Sequence, residues 1–301
     1  MSLDTTSPYW IVGPGRIGLS LGSILQGAGL ASEILFIGRD AAPPDHAVMR
    51  SSVVRYTNRL SDPPPAGTCV LLSIPDGAIA DAADEIAGLG EPGPGCTALH
   101  LSGSQPASVL ASLADRGYAT GSLHPLQTVA DPDQGAERLR DAFFAFEGDD
   151  RAREAASNLV TAAAGQMLEV HASDKARYHA ACVFASNYVV TCAGVATQLL
   201  AETANIGEEE AARALRPLWH GAIANLDALG PARALTGPVA RGDLGTVTAH
   251  LATLDGRTRD LYAELALQAL ELSVKAGLDE GVAERIEKEI RRLRTGGGER
   301  R

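Results

Sequence analysis

Residues 9–18 read Tyr9-Trp10-Ile11-Val12-Gly13-Pro14-Gly15-Arg16-Ile17-Gly18, followed by an apolar segment to Ala28 and then Ile34-Leu35-Phe36-Ile37-Gly38-Arg39-Asp40. A short buried strand, a glycine turn, a helix and a second strand follow in the order that seats a dinucleotide. Gly13 permits the tight turn, Gly15 lets a pyrophosphate approach the backbone, and Gly18 lets the helix pack close on the strand. The diphosphate would then meet the helix N-terminus, where free N–H groups and the helix dipole favour an anion. Pro14, Arg16 and Ile17 complete this cradle.

The end of the second strand bears on the choice between NAD and NADP. An acidic side chain there accepts hydrogen bonds from the ribose 2′-OH and repels a 2′-phosphate, whereas this chain has Gly38 followed by Arg39. Arginine offers a planar fork of donors to a phosphate, so NADP(H) is the expected cofactor. In the alternative, Arg39 is solvated and Asp40 takes the ribose, which would favour NAD(H).

The chain has 301 residues, enough for two domains, and its 45% apolar and 21% charged residues are ordinary for a soluble globular protein. A net charge of −11 with no Lys/Arg-rich block lacks the electrostatic footprint of a nucleic-acid surface. Cys69, Cys96, Cys182 and Cys192 form no C-x-x-C pair and have no histidine at zinc-finger spacing. They read as small core residues in a reducing compartment, with no metal site, and the start of the chain lacks a signal-peptide pattern. A cytoplasmic protein is expected. Ala180–Ala201 carries no charged residue but is only weakly lipophilic, so a helix buried within a soluble domain or a dimer is expected over a membrane span.

Further strands are expected at 53–56, 69–74, 97–101, 119–123, 142–147 and 166–170, with helices at 78–89, 106–116 and 151–164. Asp76 is placed to cap the helix that begins at Ala78. The alternation predicts a doubly wound, mostly parallel sheet over residues 1–172. An all-helical domain should occupy 173–301, beginning with one long helix from Asp174 to about Thr203. A helical stretch at 208–229 interrupted by Pro217, a loop at 230–242 and three more helices follow, with a frayed tail from Gly296.

Strand ends on the crevice side place Ser73, Ile74 and Pro75 beside the cofactor, with Ser102 and His124 further along. On the long helix, about 100° per residue puts Lys175, His179 and Ser186 on one face with Asn187 at its edge. Lysine or histidine could protonate a developing alkoxide. Arg241, in the loop Leu235-Thr236-Gly237-Pro238-Val239-Ala240-Arg241-Gly242-Asp243, could clamp a carboxylate or phosphate, while Asp243 serves as an N-cap.

Several segments together carry a resemblance: Gly13–Gly18, Ser73-Ile74-Pro75-Asp76, His100-Leu101-Ser102-Gly103 and Ser122-Leu123-His124-Pro125-Leu126-Gln127. Tyr178-His179-Ala180-Ala181, Ala185-Ser186-Asn187-Tyr188 and Leu235–Asp243 complete the set. The chain resembles bacterial proteins in which a Rossmann-like domain precedes the domain of unknown function DUF2520. These lie within the superfamily of 6-phosphogluconate dehydrogenase-like, β-hydroxyacid dehydrogenase-like enzymes. The resemblance implies an NAD(P)-dependent oxidoreductase with a catalytic lysine early on the first long helix, where Lys175 stands. One turn later the β-hydroxyacid enzymes have an asparagine; this chain has His179, and Asn187 comes two turns further on. The His124-Pro125 step is similar to the His-Pro segment at the substrate site of prephenate dehydrogenases.

The resulting expectation is NADPH-dependent reduction of a small carbonyl acid, with ketopantoate-like 2-oxo acids as the substrate class. Lys175 or His179 would protonate the oxygen, and Ser102, His124, Asn187 and Arg241 would orient the substrate. The alternatives are reduction of a cyclic imine, as in pyrroline-5-carboxylate reductase, and a non-catalytic NADP(H)-binding sensor. The apolar long helix points to a homodimer formed through the helical domain.

Overall fold

In the computed structural model, which describes residues 6–295, the expected alternation becomes one eight-stranded sheet. Its strands are β1 (Ser7–Val12), β2 (Ala31–Ile37), β3 (Val54–Thr57), β4 (Cys69–Leu72), β5 (Thr97–His100), β6 (Ala119–Pro125), β7 (Phe143–Gly148) and β8 (Gln166–Glu169). They lie in the order β3-β2-β1-β4-β5-β6-β7-β8, and every neighbouring pair is parallel except β6 with β7. The order reverses between β1 and β4. At that point the connections leave in opposite directions and a crevice opens at the carboxyl ends of the strands.

The uninterrupted apolar runs of β1 and β4 follow from cover on both faces. Ile11 and Leu71, which are register partners, join Leu19, Leu25, Phe36, Phe144 and Leu159 on one side. Trp10, Val70 and Leu72 join Ile79, Ile86, Leu110 and Leu113 on the other. The covering helices are α1 (Arg16–Gly27), α2 (Ile79–Ala87), the single-turn α3 (Ala111–Ala114), α4 (Gly135–Leu139) and α5 (Asp150–Ala162). The helix expected over 106–116 is a 3₁₀ turn at Ala107–Leu110 running into α3.

The long helix expected from Asp174 is two helices, α6 (Lys175–Ala185) and α7 (Asn187–Ala204). Ser186 leaves helical geometry at φ −126° and ψ −67°, and its hydroxyl donates to the Cys182 carbonyl at 2.9 Å. Such back-bonding by serine bends helices. Pro217 does not interrupt α8 (Glu208–Ala234); the departure comes at Gly230, with φ 71° and ψ 167°, directly before Pro231. The chain divides into two compact units, Met1–Asn187 and Tyr188–Arg301, so the division falls after Asn187 and α6 belongs with the sheet. The tail expected from Gly296 lies outside the described residues.

In the second unit, α9 (Leu244–Thr253), α10 (Gly256–Lys275) and α11 (Glu280–Thr295) pack around Val247, Leu251, Ala263, Ala266, Leu270, Ile286 and Ile290. Asp243 caps α9 as expected, accepting from the Thr246 backbone N–H at 3.0 Å. The run 172–204 is long and apolar enough to cross a membrane by length and composition, and none of its most apolar window is buried. Burial within the chain's own fold, one of the two settings expected for this segment, is therefore not what the structure has.

Candidate active site

The glycine turn behaves as the sequence spacing requires. Gly13 has φ +92°, and a Cβ there would lie 2.4 Å from the Ser73 carbonyl oxygen. At Gly18 a Cβ would lie 2.3 Å from the Gly13 carbonyl oxygen, whereas at Gly15 nothing stands within 4 Å. The two outer glycines are thus fixed by packing, and the middle one leaves open backbone. Gly15 is the N-cap of α1 with no capping side chain, and no acidic residue occupies the first turn. The N–H groups and dipole of that turn can therefore receive an anion.

A cleft of about 790 Å³ runs over this turn, lined by Gly13, Pro14, Gly15, Ser73, Ile74 and Pro75 and, at its far end, by Gly38, Arg39 and Asp40. These residues fit a dinucleotide with its diphosphate on α1. Arg39 and Asp40 both face the cleft, and the Tyr56 hydroxyl donates to the Asp40 carbonyl at 2.7 Å. At Gly38 a Cβ would lie 2.4 Å from that same hydroxyl, a packing reason for glycine at this position. Asn58 and Arg59 also line this end, which the sequence reading missed. The signal was available: they follow β3, and the carboxyl end of a parallel strand faces the crevice.

A second hollow, of about 330 Å³, shares Gly15, Ser73 and Ile74 with the first and is lined further by Arg16, Ile17, Asp76 and Ser102. Asp76 does not cap α2. Its carboxylate accepts from the Ser104 hydroxyl at 2.7 Å. Burial pushes this carboxyl up, but hydrogen bonds from Ser104 and Ser102 and the charges of His179 and His100 outweigh it, leaving the group below its ordinary value.

Ser102 is held on every side. Its backbone N–H donates to His100 Nδ1 at 3.2 Å, and its Oγ accepts from the N–H groups of Ser104 and Gln105 at 3.2 and 3.0 Å. Its carbonyl accepts from the Ser122 hydroxyl at 3.1 Å and from Lys175 Nζ at 3.2 Å. Lys175, 1% exposed, also donates to Ser122 Oγ at 2.5 Å. Burial holds its amine below the ordinary value, against the pull of the Glu147 and Asp76 carboxylates. Lys175 thus lies beneath the turn after β5 and secures α6 to the sheet.

Around that turn the structure gathers three rings. A Cβ on Gly103 would lie 2.7 Å from His179 Cδ2 and 3.0 Å from both Cε1 and Nε2 of His124. The two imidazoles stand edge to face, 5.9 Å between centroids. Tyr178, which the sequence reading did not assign to the site, places its hydroxyl 2.7 Å from His124 Nδ1. Burial, then the charges of Lys175 and His179, depress His124 to about 4. Burial similarly raises the Tyr178 phenol above its ordinary value, with Cys182 adding to the shift. His100 is also depressed to about 4, by burial and then by Lys175.

Of the expected chemistry-bearing residues, Ser102, His124, Lys175 and His179 come together. Ser186 turns away to Cys182, and Asn187 accepts from the Ser186 hydroxyl at 2.9 Å at the start of α7. Arg241 lies in the second unit, where its N–H closes a turn onto the Gly237 carbonyl at 3.2 Å. Cys69 and Cys96 are buried core residues as expected, while Cys182 and Cys192 are half-buried. Among the described residues no group of His, Cys, Asp or Glu could hold a metal ion.

Residues 142–269 match the domain of unknown function DUF2520, a span that begins at β7 rather than at the helical region. No curated protein matches the chain. Among solved structures, protein TM1727 from Thermotoga maritima is similar at TM-score 0.69 and 21% identity, over 89% of this chain and 99% of that one. BF3122 from Bacteroides fragilis, provisionally named an NADP oxidoreductase, aligns at TM-score 0.64 and 21% identity over 90% and 100%. A pyrroline-5-carboxylate reductase from Coxiella burnetii aligns at TM-score 0.51 and 14% identity over 97% and 98%. At these identities the likeness is one of fold. The sheet order and the glycine turn are those of a Rossmann-like fold, and residues 142–269 within it and after it are similar to the DUF2520 family.

Proposed function

We propose that the protein is an NADPH-dependent reductase of a small carbonyl acid. The observation that carries this reading is the pair His124 and His179, set around Gly103 at a strand end that adjoins the nucleotide cleft. When bound, NADPH supplies a hydride to the carbonyl carbon and leaves as NADP⁺. The carbonyl oxygen then needs a proton, and His179 is placed to give it, while His124 orients the oxygen by hydrogen bonding. The choice left open by the sequence between Lys175 and His179 falls on His179, because Lys175 is buried and committed to Ser102 and Ser122. Arg39, with Arg59 beside it, would take the 2′-phosphate of NADPH, in keeping with the NADP in the name of the Bacteroides relative. A cytoplasmic location goes with this reading.

Screening 2-oxo acids for oxidation of NADPH tests it. Turnover of at least one that falls more than about 100-fold in His179→Ala, the upper part of the range for losing a general acid, supports the assignment. NADPH binding with no oxidation by any carbonyl compound or imine would leave the sensor reading instead.

A second reading, reduction of a cyclic imine, is favoured by Asp76. A carboxylate held below its ordinary value beside the hollow would stabilise a cationic iminium and oppose a substrate carboxylate. Asp76→Asn should weaken imine turnover and leave or improve 2-oxo acid turnover.

The helical units are proposed to pair as a homodimer. In the second unit Val190 is 72% and Leu218 68% exposed, with Val189, Ile223, Leu226 and Leu229 also open, a large apolar surface for a soluble chain. Light scattering at micromolar concentration should give twice the chain mass; a monomer would refute the pairing.

A further inference from the structure

We infer that Tyr178 is a positioning residue for His124: its phenolic hydroxyl donates to Nδ1, so that Nε2 carries the ring hydrogen and presents it beside Gly103. The inference rests on the reading that His124 and His179 face the substrate, and it adds a residue that fixes which atom of His124 acts.

The two atoms concerned are 2.7 Å apart, hydrogen-bonding distance for either direction of donation. Chemistry selects the direction. A phenol is a good donor and a weak acceptor, whereas the unprotonated nitrogen of a neutral imidazole is a strong acceptor. Burial keeps Tyr178 in its phenol form and depresses His124 to about 4, so at neutral pH one ring nitrogen of His124 bears hydrogen and the other accepts. The rings of Tyr178 and His124 are held at 84° with centroids 5.7 Å apart, an edge-to-face contact that limits rotation of the imidazole. On the opposite side, His124 Nε2 lies 3.0 Å from the position of a Gly103 Cβ, where no side chain intervenes. Tyr178 and His179 are consecutive on α6, so one helical turn supplies both the group that sets the tautomer of His124 and the ring that faces it. The pin that holds this turn to the sheet is Lys175, three residues before Tyr178.

Long-range ¹H–¹⁵N correlation on the full chain with labelled histidine, at neutral pH, reads the tautomer directly. The signals of His124 are identified among the seven histidines by their loss in His124→Gln. The expected wild-type spectrum shows His124 with hydrogen on Nε2. In Tyr178→Phe the ratio of the Nε2–H to the Nδ1–H form should fall about fivefold, the scale set by the net worth of one hydrogen bond. NADPH binding, followed by fluorescence titration, should stay within twofold of wild type. Hydrogen on Nδ1 in the wild-type protein overturns the inference by itself, whether or not the variant folds, and so does an unchanged ratio in Tyr178→Phe. If Nε2–H is found and no carbonyl compound is reduced, the positioning stands and the reductase reading fails. If turnover is found with Nδ1–H, the reductase reading stands and the role of Tyr178 fails.

Discussion

Lys175 Nζ lies 2.5 Å from Ser122 Oγ and shares with it the carbonyl of Ser102, beneath the floor of the crevice. A lysine at this point of the chain invites a chemical role, yet its surroundings are those of a structural pin. Lys175→Met should therefore lower stability by roughly 2 kcal/mol, the scale for leaving buried hydrogen-bonding partners, here the Ser102 carbonyl and the Ser122 hydroxyl, without their donor. Urea unfolding measures this. A variant of wild-type stability that has lost all turnover would show that the amine acts in the chemistry instead.

Gly103 is tight against both imidazoles, so a single methyl group should disturb the site without touching the fold's core. Gly103→Ala must displace the His179 or the His124 ring by a few tenths of an ångström or more. Turnover should fall about 10- to 100-fold, the loss that follows from misplacing catalytic groups, with NADPH affinity unchanged. Wild-type kinetics in this variant would remove the two histidines from the reacting geometry.

Cofactor preference should follow Arg39. Arg39→Gln is expected to raise the dissociation constant for NADPH about 10- to 30-fold, near 1.4–2 kcal/mol for a charge-assisted contact, and to leave NADH nearly unaffected. Calorimetric titration of both nucleotides checks it. An equal loss for the two would place Arg39 away from the 2′-phosphate and return the ribose to Asp40.

Acid should destabilise the protein earlier than carboxylate protonation would. His100 and His124 are each depressed to about 4 from 6.5, so between those values the unfolded chain binds more protons than the folded one. Their neutral forms leave stability intact above pH 6.5, and that stability is lost as pH falls toward 4. For the fully buried His100 the loss is on the order of 3 kcal/mol, from 1.36 kcal/mol per pKa unit. The urea midpoint should drop between pH 7 and 4.5, and by less in His100→Gln measured against its own value at pH 7. A flat profile would contradict the burial of both rings.

Much of this was readable from residues 9–40, because strands buried on both faces announce themselves as unbroken apolar runs and the glycine turn has fixed spacing. The place of Ser73 beside the cleft was readable too, since the carboxyl end of a parallel strand faces the crevice. What the sequence did not yield depends on contacts between distant residues. Counting 100° per residue placed Lys175 and His179 on one face, but it could not show that the lysine would sink to Ser122 while the histidine stayed at Gly103. The same count ran through Ser186, where a side chain returning to the Cys182 carbonyl ends the helix. Tyr178 went unassigned because nothing local distinguishes a tyrosine that meets a histidine 54 positions away.

The break at Ser186 lies beside the division between the two units, so the nucleotide turn, Lys175, Tyr178 and both histidines are all carried by the first 187 residues. The exposed apolar helix surface belongs to the stretch that follows. Substitutions among these residues and substitutions in that surface therefore fall in different segments of the gene. A break of one residue, Ser186, is all that separates the helix bearing Tyr178 and His179 from the helix that opens this surface.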